Sequence, residues 1–182
     1  MRGTRAASHD IAMAGGYFVT GFGSPYWGGH REPSGRFLLS PMKNRSWEED
    51  VQHLKALFTS LAWWRLDPHD ELLGGSAAEA CRRHKHPLVV KQSDIVPPAK
   101  ACWCLAEPGQ CYLVYVRGTR EPLKLNPATA GPVRLEVREF DPRTGAYRWL
   151  ASYQGTGPVT LTPPHGEDTV FVLRAPLHAK EA

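Results

Sequence analysis

The chain has 182 residues, with 22 Lys and Arg against 18 Asp and Glu, a formal net charge of +4 and 42% hydrophobic residues. This length suits one large domain or two small ones and falls short of the about 250 residues of a complete (β/α)8 barrel. The apolar share is enough for a core and excludes a disordered chain. The basic residues are scattered, and the densest run, "RRHK" at 82–85, reads as a solvated loop. A nucleic-acid surface would want a basic stripe with interleaved aromatics. No apolar run approaches the roughly 18 residues of a membrane span. The opening "MRGTRAASHDIAMAGG" lacks the apolar core of a signal peptide, because Asp10 interrupts it. Neither nucleic acid nor membrane is therefore an expected partner, and localisation stays open.

In chain order, Ala6, Ala7, Ile11 and Ala14 predict a helix over residues 4–14, stopped by Gly15-Gly16. "YFVTGF" (17–22) reads as a strand buried on both faces. Residues 23–45 hold four Gly and three Pro without periodicity, a long loop. Ser46 and Glu49 form a capping box. Trp47, Val51, Leu54, Leu57, Phe58 and Leu61 then make one apolar stripe on a helix over about 47–61. Glu49, Asp50, Gln52, His53 and Lys55 fall on its wet side. Trp63 and Trp64 read as core plugs just past the helix, and Asp67-Pro68 ends any continuation. Residues 74–98 read as a linker holding one short strand, "PLVVK".

From residue 99 the period becomes two. "ACWCLAEPGQCYLVYV" is a hairpin about a type II turn at Pro108-Gly109. With Glu107 and Gln110 flanking the turn, Ala106 opposes Cys111 and Cys104 opposes Leu113. Trp103, Leu105, Tyr112, Val114 and Val116 then share the core face. "PVRLEVREFDPRTGAYRWLASY" is a second hairpin turning at "DPRTG". With "PLKLN", "PVTLTPP" and "DTVFVLR" this makes about seven short strands, the pattern of an antiparallel sandwich. The expected fold class is mainly β.

The same pairing puts Cys102, Cys104 and Cys111 on one face. C-x-C on a strand is not a zinc knuckle, and a diagonal Cys104–Cys111 pair is too distant for an easy disulfide. Reduced, half-buried thiols are expected, with no metal and no cofactor. Glycoside hydrolysis normally uses two carboxylates. Of Asp10, Glu32, Glu48, Glu49 and Asp50, only Glu32 lies on the candidate active loop, and it has no partner there. No G-x-S-x-G, phosphate loop or H-E-x-x-H occurs. Tyr26, Trp27 and His30 stand on the loop after the first strand, either lining a sugar site or serving as structural loop residues. Tyr147, Trp149 and Tyr153 alternate along one strand. That places them on one face, as a sugar-stacking platform or as core.

"AGGYFVTGFG…YWGGHREP" and "SWEEDVQHLKALFTSLAWWRLDPHDELL" resemble the last strand and helix of an apiosidase-like TIM-barrel glycoside hydrolase. "CWCLAEPGQCYLVYVRG", "EFDPRTGAYR" and "DTVFVLR" resemble the β-sandwich that follows such barrels, known as the collagen-binding domain of a collagenase. The resemblance covers roughly residues 5–175. It implies a barrel remnant over 1–73, the linker 74–98, the sandwich 99–175 and a tail 176–182, with an upstream barrel domain carrying the catalytic carboxylates. No catalytic residue is then expected in this chain, and activity alone is not expected. It also implies that the family is often secreted. Tyr26, Trp27 and His30 fall where the last βα loop would meet the substrate. The expected role is the non-catalytic, accessory and buttressing portion of a carbohydrate-active protein. A stand-alone polysaccharide- or collagen-binding module is the alternative.

Overall fold

Gly15 adopts a left-handed φ of +76°, and there the first helix, α1 (Arg2–Met13), ends. The Gly15 amide donates to the Ala12 carbonyl at 3.0 Å and the Gly16 amide to the Ile11 carbonyl at 2.9 Å. These are the paired bonds of a Schellman stop. The computed structural model describes residues 2–16, 29–31, 37–39, 46–83, 89–91, 94–96 and 99–176. The strand expected at 17–22 lies outside them.

The stretch read as a long loop contains an antiparallel pair, β1 (Gly29–Arg31) and β2 (Phe37–Leu39). Helix α2 (Ser46–Thr59) begins at the expected serine and buries Leu54 and Leu57. Two 3-10 turns, Trp63–Arg65 and Asp70–Leu72, flank β3 (Asp67–Pro68). Then come β4 (Leu73–Gly74), α3 (Ser76–Arg83), β5 (Val89–Lys91) and β6 (Asp94–Val96). Residues 76–83, read as linker, thus form a helix whose Ala77, Ala78 and Cys81 are buried. A packed helix, unlike a linker, has small side chains on one face, and these do.

The remaining strands are β7 (Ala101–Glu107), β8 (Cys111–Arg117), β9 (Leu123–Leu125), β10 (Val133–Asp141), β11 (Ala146–Gly155), β12 (Val159–Leu161) and β13 (Thr169–Arg174). They build a six-stranded sheet ordered β11-β10-β13-β8-β7-β3 and a three-stranded sheet ordered β12-β9-β4. Every pairing in both sheets is antiparallel. The fold is mainly β, and no barrel closes among the described residues.

Three layers result. One face of the larger sheet packs Cys104, Tyr112, Val114, Leu135 and Phe171 against Leu123, Leu125 and Leu161 of the smaller sheet and Ala77 of α3. The other packs Leu105, Leu113, Tyr115, Phe140 and Val172 against Met13 of α1 and Leu57 of α2. With both faces covered, the central strands β8 and β13 are apolar almost throughout.

The type II turn forms as expected. Gly109 has φ +81°, and the Gln110 amide donates to the Glu107 carbonyl at 2.9 Å. The register differs, however. Glu107 opposes Cys111, Ala106 opposes Tyr112 and Cys104 opposes Val114, which leaves Gln110 in the loop. The Tyr112 hydroxyl accepts from the Gly109 amide at 2.6 Å and donates to the Pro127 carbonyl at 2.7 Å, anchoring this arrangement. A one-residue slip exchanges faces along a strand. Cys102, Cys104, Tyr112, Val114 and Val116 therefore share one face, and Trp103, Leu105, Cys111, Leu113 and Tyr115 the other. Cys111 does not join the other two cysteines of the hairpin.

Candidate functional site

The exposed aromatics on β11 are positioned by a bulge. β11 is the outer strand of the six-stranded sheet. Along it Val137 opposes Ala151 but Arg138 opposes Trp149, so Leu150 is the extra residue. The bulge reverses the alternation. Tyr147 packs on Phe140 with ring centroids 4.9 Å apart, on the helix-covered side. Trp149 lies two residues along on that side and is 60% exposed, against 45% for Tyr147. The Tyr147 hydroxyl meets Ser60 Oγ, just past α2, at 3.1 Å. Tyr153 sits on the opposite face, partly buried against the inter-sheet core, and donates to the Gly157 carbonyl. The three aromatics therefore do not share a face. The structure brings together Tyr147 and Trp149 alone.

Of the loop candidates, His30 lies in β1 opposite Leu38, while Tyr26 and Trp27 lie outside the described residues. Trp63 and Trp64 are not core plugs. Trp64 is 70% exposed, and the two rings meet edge to face at 6.1 Å between centroids. With Val51, Leu54, Phe58 and Leu66 they line an apolar cleft of about 390 Å³ between α1 and α2. Sequence reasoning missed this cleft, because a tryptophan one turn past a helix carries no signal for which side it faces.

Asp10, Asp50 and Asp168 are committed to arginines. Arg5 on α1 reaches Asp168 at 2.6 and 2.9 Å and Asp50 on α2 at 3.2 Å. Burial opposes the Arg5 charge, but the two carboxylates outweigh it and hold the guanidinium above its usual range. Burial likewise opposes ionisation of Asp168, and Arg5 reverses this, so Asp168 is held below the usual range. Asp50, read as a wet-face residue, is buried. Its burial follows from the docking of α1 across α2, which no helix pattern reveals. Asp10 receives both Arg117 terminal nitrogens, at 3.1 and 2.8 Å, and the Trp103 indole N–H at 2.8 Å.

Between these pairs His9 is fully buried, its ring stacked on Tyr115 with centroids 5.0 Å apart. Its Nδ1 faces the Arg5 carbonyl at 3.0 Å and must donate to it. Nε2 is buried without a hydrogen-bond partner. Burial, above all, pulls the His9 pKa below its ordinary value. Chemically, this cluster fastens α1 and α2 to β8 and to Asp168, the residue before β13. Among the described residues no three His, Cys, Asp or Glu side chains converge as a metal site, and no helix is long and apolar enough to cross a membrane.

No family model and no curated protein matches this chain. Among solved structures, a glycoside hydrolase family 5 from Bacteroides vulgatus ATCC 8482 is similar at 10% identity and TM-score 0.47, over 69% of this chain and 24% of its own. A second structure, a glycoside hydrolase, is similar at 11% identity and TM-score 0.49, over 80% of this chain and 30% of its own. The chain thus spans less than a third of the length of either structure.

Proposed function

We propose that this chain is a non-catalytic accessory portion of a carbohydrate-active, glycoside-hydrolase-like protein, in which the β-sandwich buttresses an adjoining catalytic barrel. The observation that carries this reading is the buried arginine–carboxylate cluster. Arg5–Asp168, Arg5–Asp50 and Asp10–Arg117 tie the two N-terminal helices to the large sheet. Buried pairs with this geometry hold two elements in one arrangement, as a buttress requires and a freely tethered module does not. The resemblance of the helical part to the end of a barrel supports the same reading.

The test is the mass of the native product in its source cells, detected with an antibody raised against the sandwich. The reading expects a band well above the 20.2 kDa of this chain. A band at that mass, or glycosidase activity from the purified chain, overturns it. A second reading, a polysaccharide-binding module, is favoured by the exposed Tyr147 and Trp149 on one face. A binding-induced change in tryptophan fluorescence, absent in Trp149→Ala, would support it.

A further inference from the structure

We propose that Cys81 and Cys102 form a disulfide-forming dithiol that covalently locks α3 onto β7. The four cysteines of the chain are free thiols in the structure. Cys81 ends the buried face of α3 one turn after Ala77, and Cys102 lies on β7 beneath that turn. The Cys102 thiol reaches the Ala77 carbonyl, one helical turn before Cys81, at 3.9 Å. Both residues belong to the core between the sheets. The two thiols therefore lie in one packed core on facing elements, the placement that a bridge between α3 and β7 needs.

The remaining cysteines do not compete for this pairing. Cys104 shares the face of Cys102 but lies two residues along the strand, roughly 7 Å away at strand rise. Cys111 is on the opposite face. The pair is also polarised. The hydrogen bond from Cys102, against burial, draws the Cys81 thiol below its ordinary range, with Lys100 and Arg117 adding positive potential. The same hydrogen bond, with burial, pushes Cys102 up.

The oxidant is a low-molecular-weight disulfide. As the chain folds and both thiols are still accessible, one of the two, as thiolate, attacks one of its sulfurs, forming a mixed disulfide and releasing one small thiolate. The other thiol loses its proton and attacks the cysteine sulfur of that mixed disulfide, which forms the Cys81–Cys102 bond and releases the second small thiolate. The protein gives up two electrons and two protons, and the small disulfide becomes two thiols.

Because both sulfurs are buried, the test refolds the full denatured chain in a glutathione redox buffer with oxidised glutathione in excess. Thiols are then counted after denaturation, and non-reducing peptides are mapped. The expected result is two titratable thiols remaining of the four, a peptide containing Cys81 linked to one containing Cys102, and a higher melting temperature that a reductant reverses. Cys81→Ala and Cys102→Ala should each keep all three remaining thiols, while Cys104→Ala should keep only one. Four titratable thiols in the refolded folded chain, or a link through Cys104 or Cys111, overturns the proposal. If Cys102→Ala does not fold, Cys81→Ala, at the end of a helix, gives the same readout.

Discussion

Asp10 and Arg117, 107 positions apart in the chain, form a buried two-point ion pair through both terminal guanidinium nitrogens. Their side chains retain only 5% and 11% of their exposure. The pair joins α1 to β8, and the Trp103 indole N–H completes the shell around the carboxylate. Removing one partner leaves the other charged, desolvated and unpaired. Asp10→Ala should therefore lower unfolding free energy by about 3–5 kcal/mol. Urea unfolding followed by tryptophan fluorescence measures this, and a loss no larger than that of an exposed substitution would show that α1 does not depend on the pair.

His9 makes stability depend on pH. Its pKa in the folded chain is depressed by burial below the ordinary 6.5. The unfolded chain takes up a proton as pH falls through that value, whereas the folded chain stays neutral. Stability is thus fully present above about pH 6.5 and declines as pH falls toward the folded pKa. The depressed Asp168 acts in the same direction, but only below its ordinary 3.8, so the two windows separate. Urea midpoints should fall between pH 7 and pH 5 in the native chain and fall less in His9→Asn, which keeps a donor near the Nδ1 position. Equal slopes in the two proteins would assign the effect elsewhere.

The bulge at Leu150 predicts unequal roles for three aromatics that a simple strand would treat alike. Trp149, with 60% exposure, should tolerate alanine within about 0.5 kcal/mol. Tyr153 packs on the inter-sheet core, and Tyr153→Ala should cost about 1–3 kcal/mol. Chemical denaturation of the two variants side by side decides the matter, and the reverse order would mean that β11 runs without the bulge.

Gly118 should be the least replaceable glycine of the β8 end. Its φ is +76°, and an added Cβ would lie 2.1 Å from the Ala99 carbonyl oxygen. The left-handed backbone alone makes Gly118→Ala unfavourable by about 1–3 kcal/mol, and the backbone clash adds to that. Gly131→Ala is the control, since a Cβ there meets nothing within 4 Å, and it should melt as the native chain does. Comparable melting temperatures for both variants would contradict the close approach of β8 to residue 99.

What the sequence by itself determined was local. The Schellman stop at Gly15-Gly16, the turn at Gly109 and the turn at Gly145 each depend on bonds between residues at most five positions apart, so the residue types suffice. The two-residue period of β10 followed in the same way, as did the short apolar runs of β7, β8 and β13 between turns, and with them the mainly β class. The tertiary structure decided what crosses between elements. Gln110 left out of the β7–β8 ladder and Leu150 left out of the β10–β11 ladder each reassign whole faces. These single omissions separate Cys111 from Cys104 and Tyr153 from Trp149. The burial of Asp10 and Asp50 likewise needs arginines supplied by other elements. A strand that is apolar on both faces, as β8 and β13 are, reads almost the same after a one-residue slip, whereas the core does not. The choice of register therefore belongs to the packing of the two sheets and the helices, where the wrong face would bury charge without a partner.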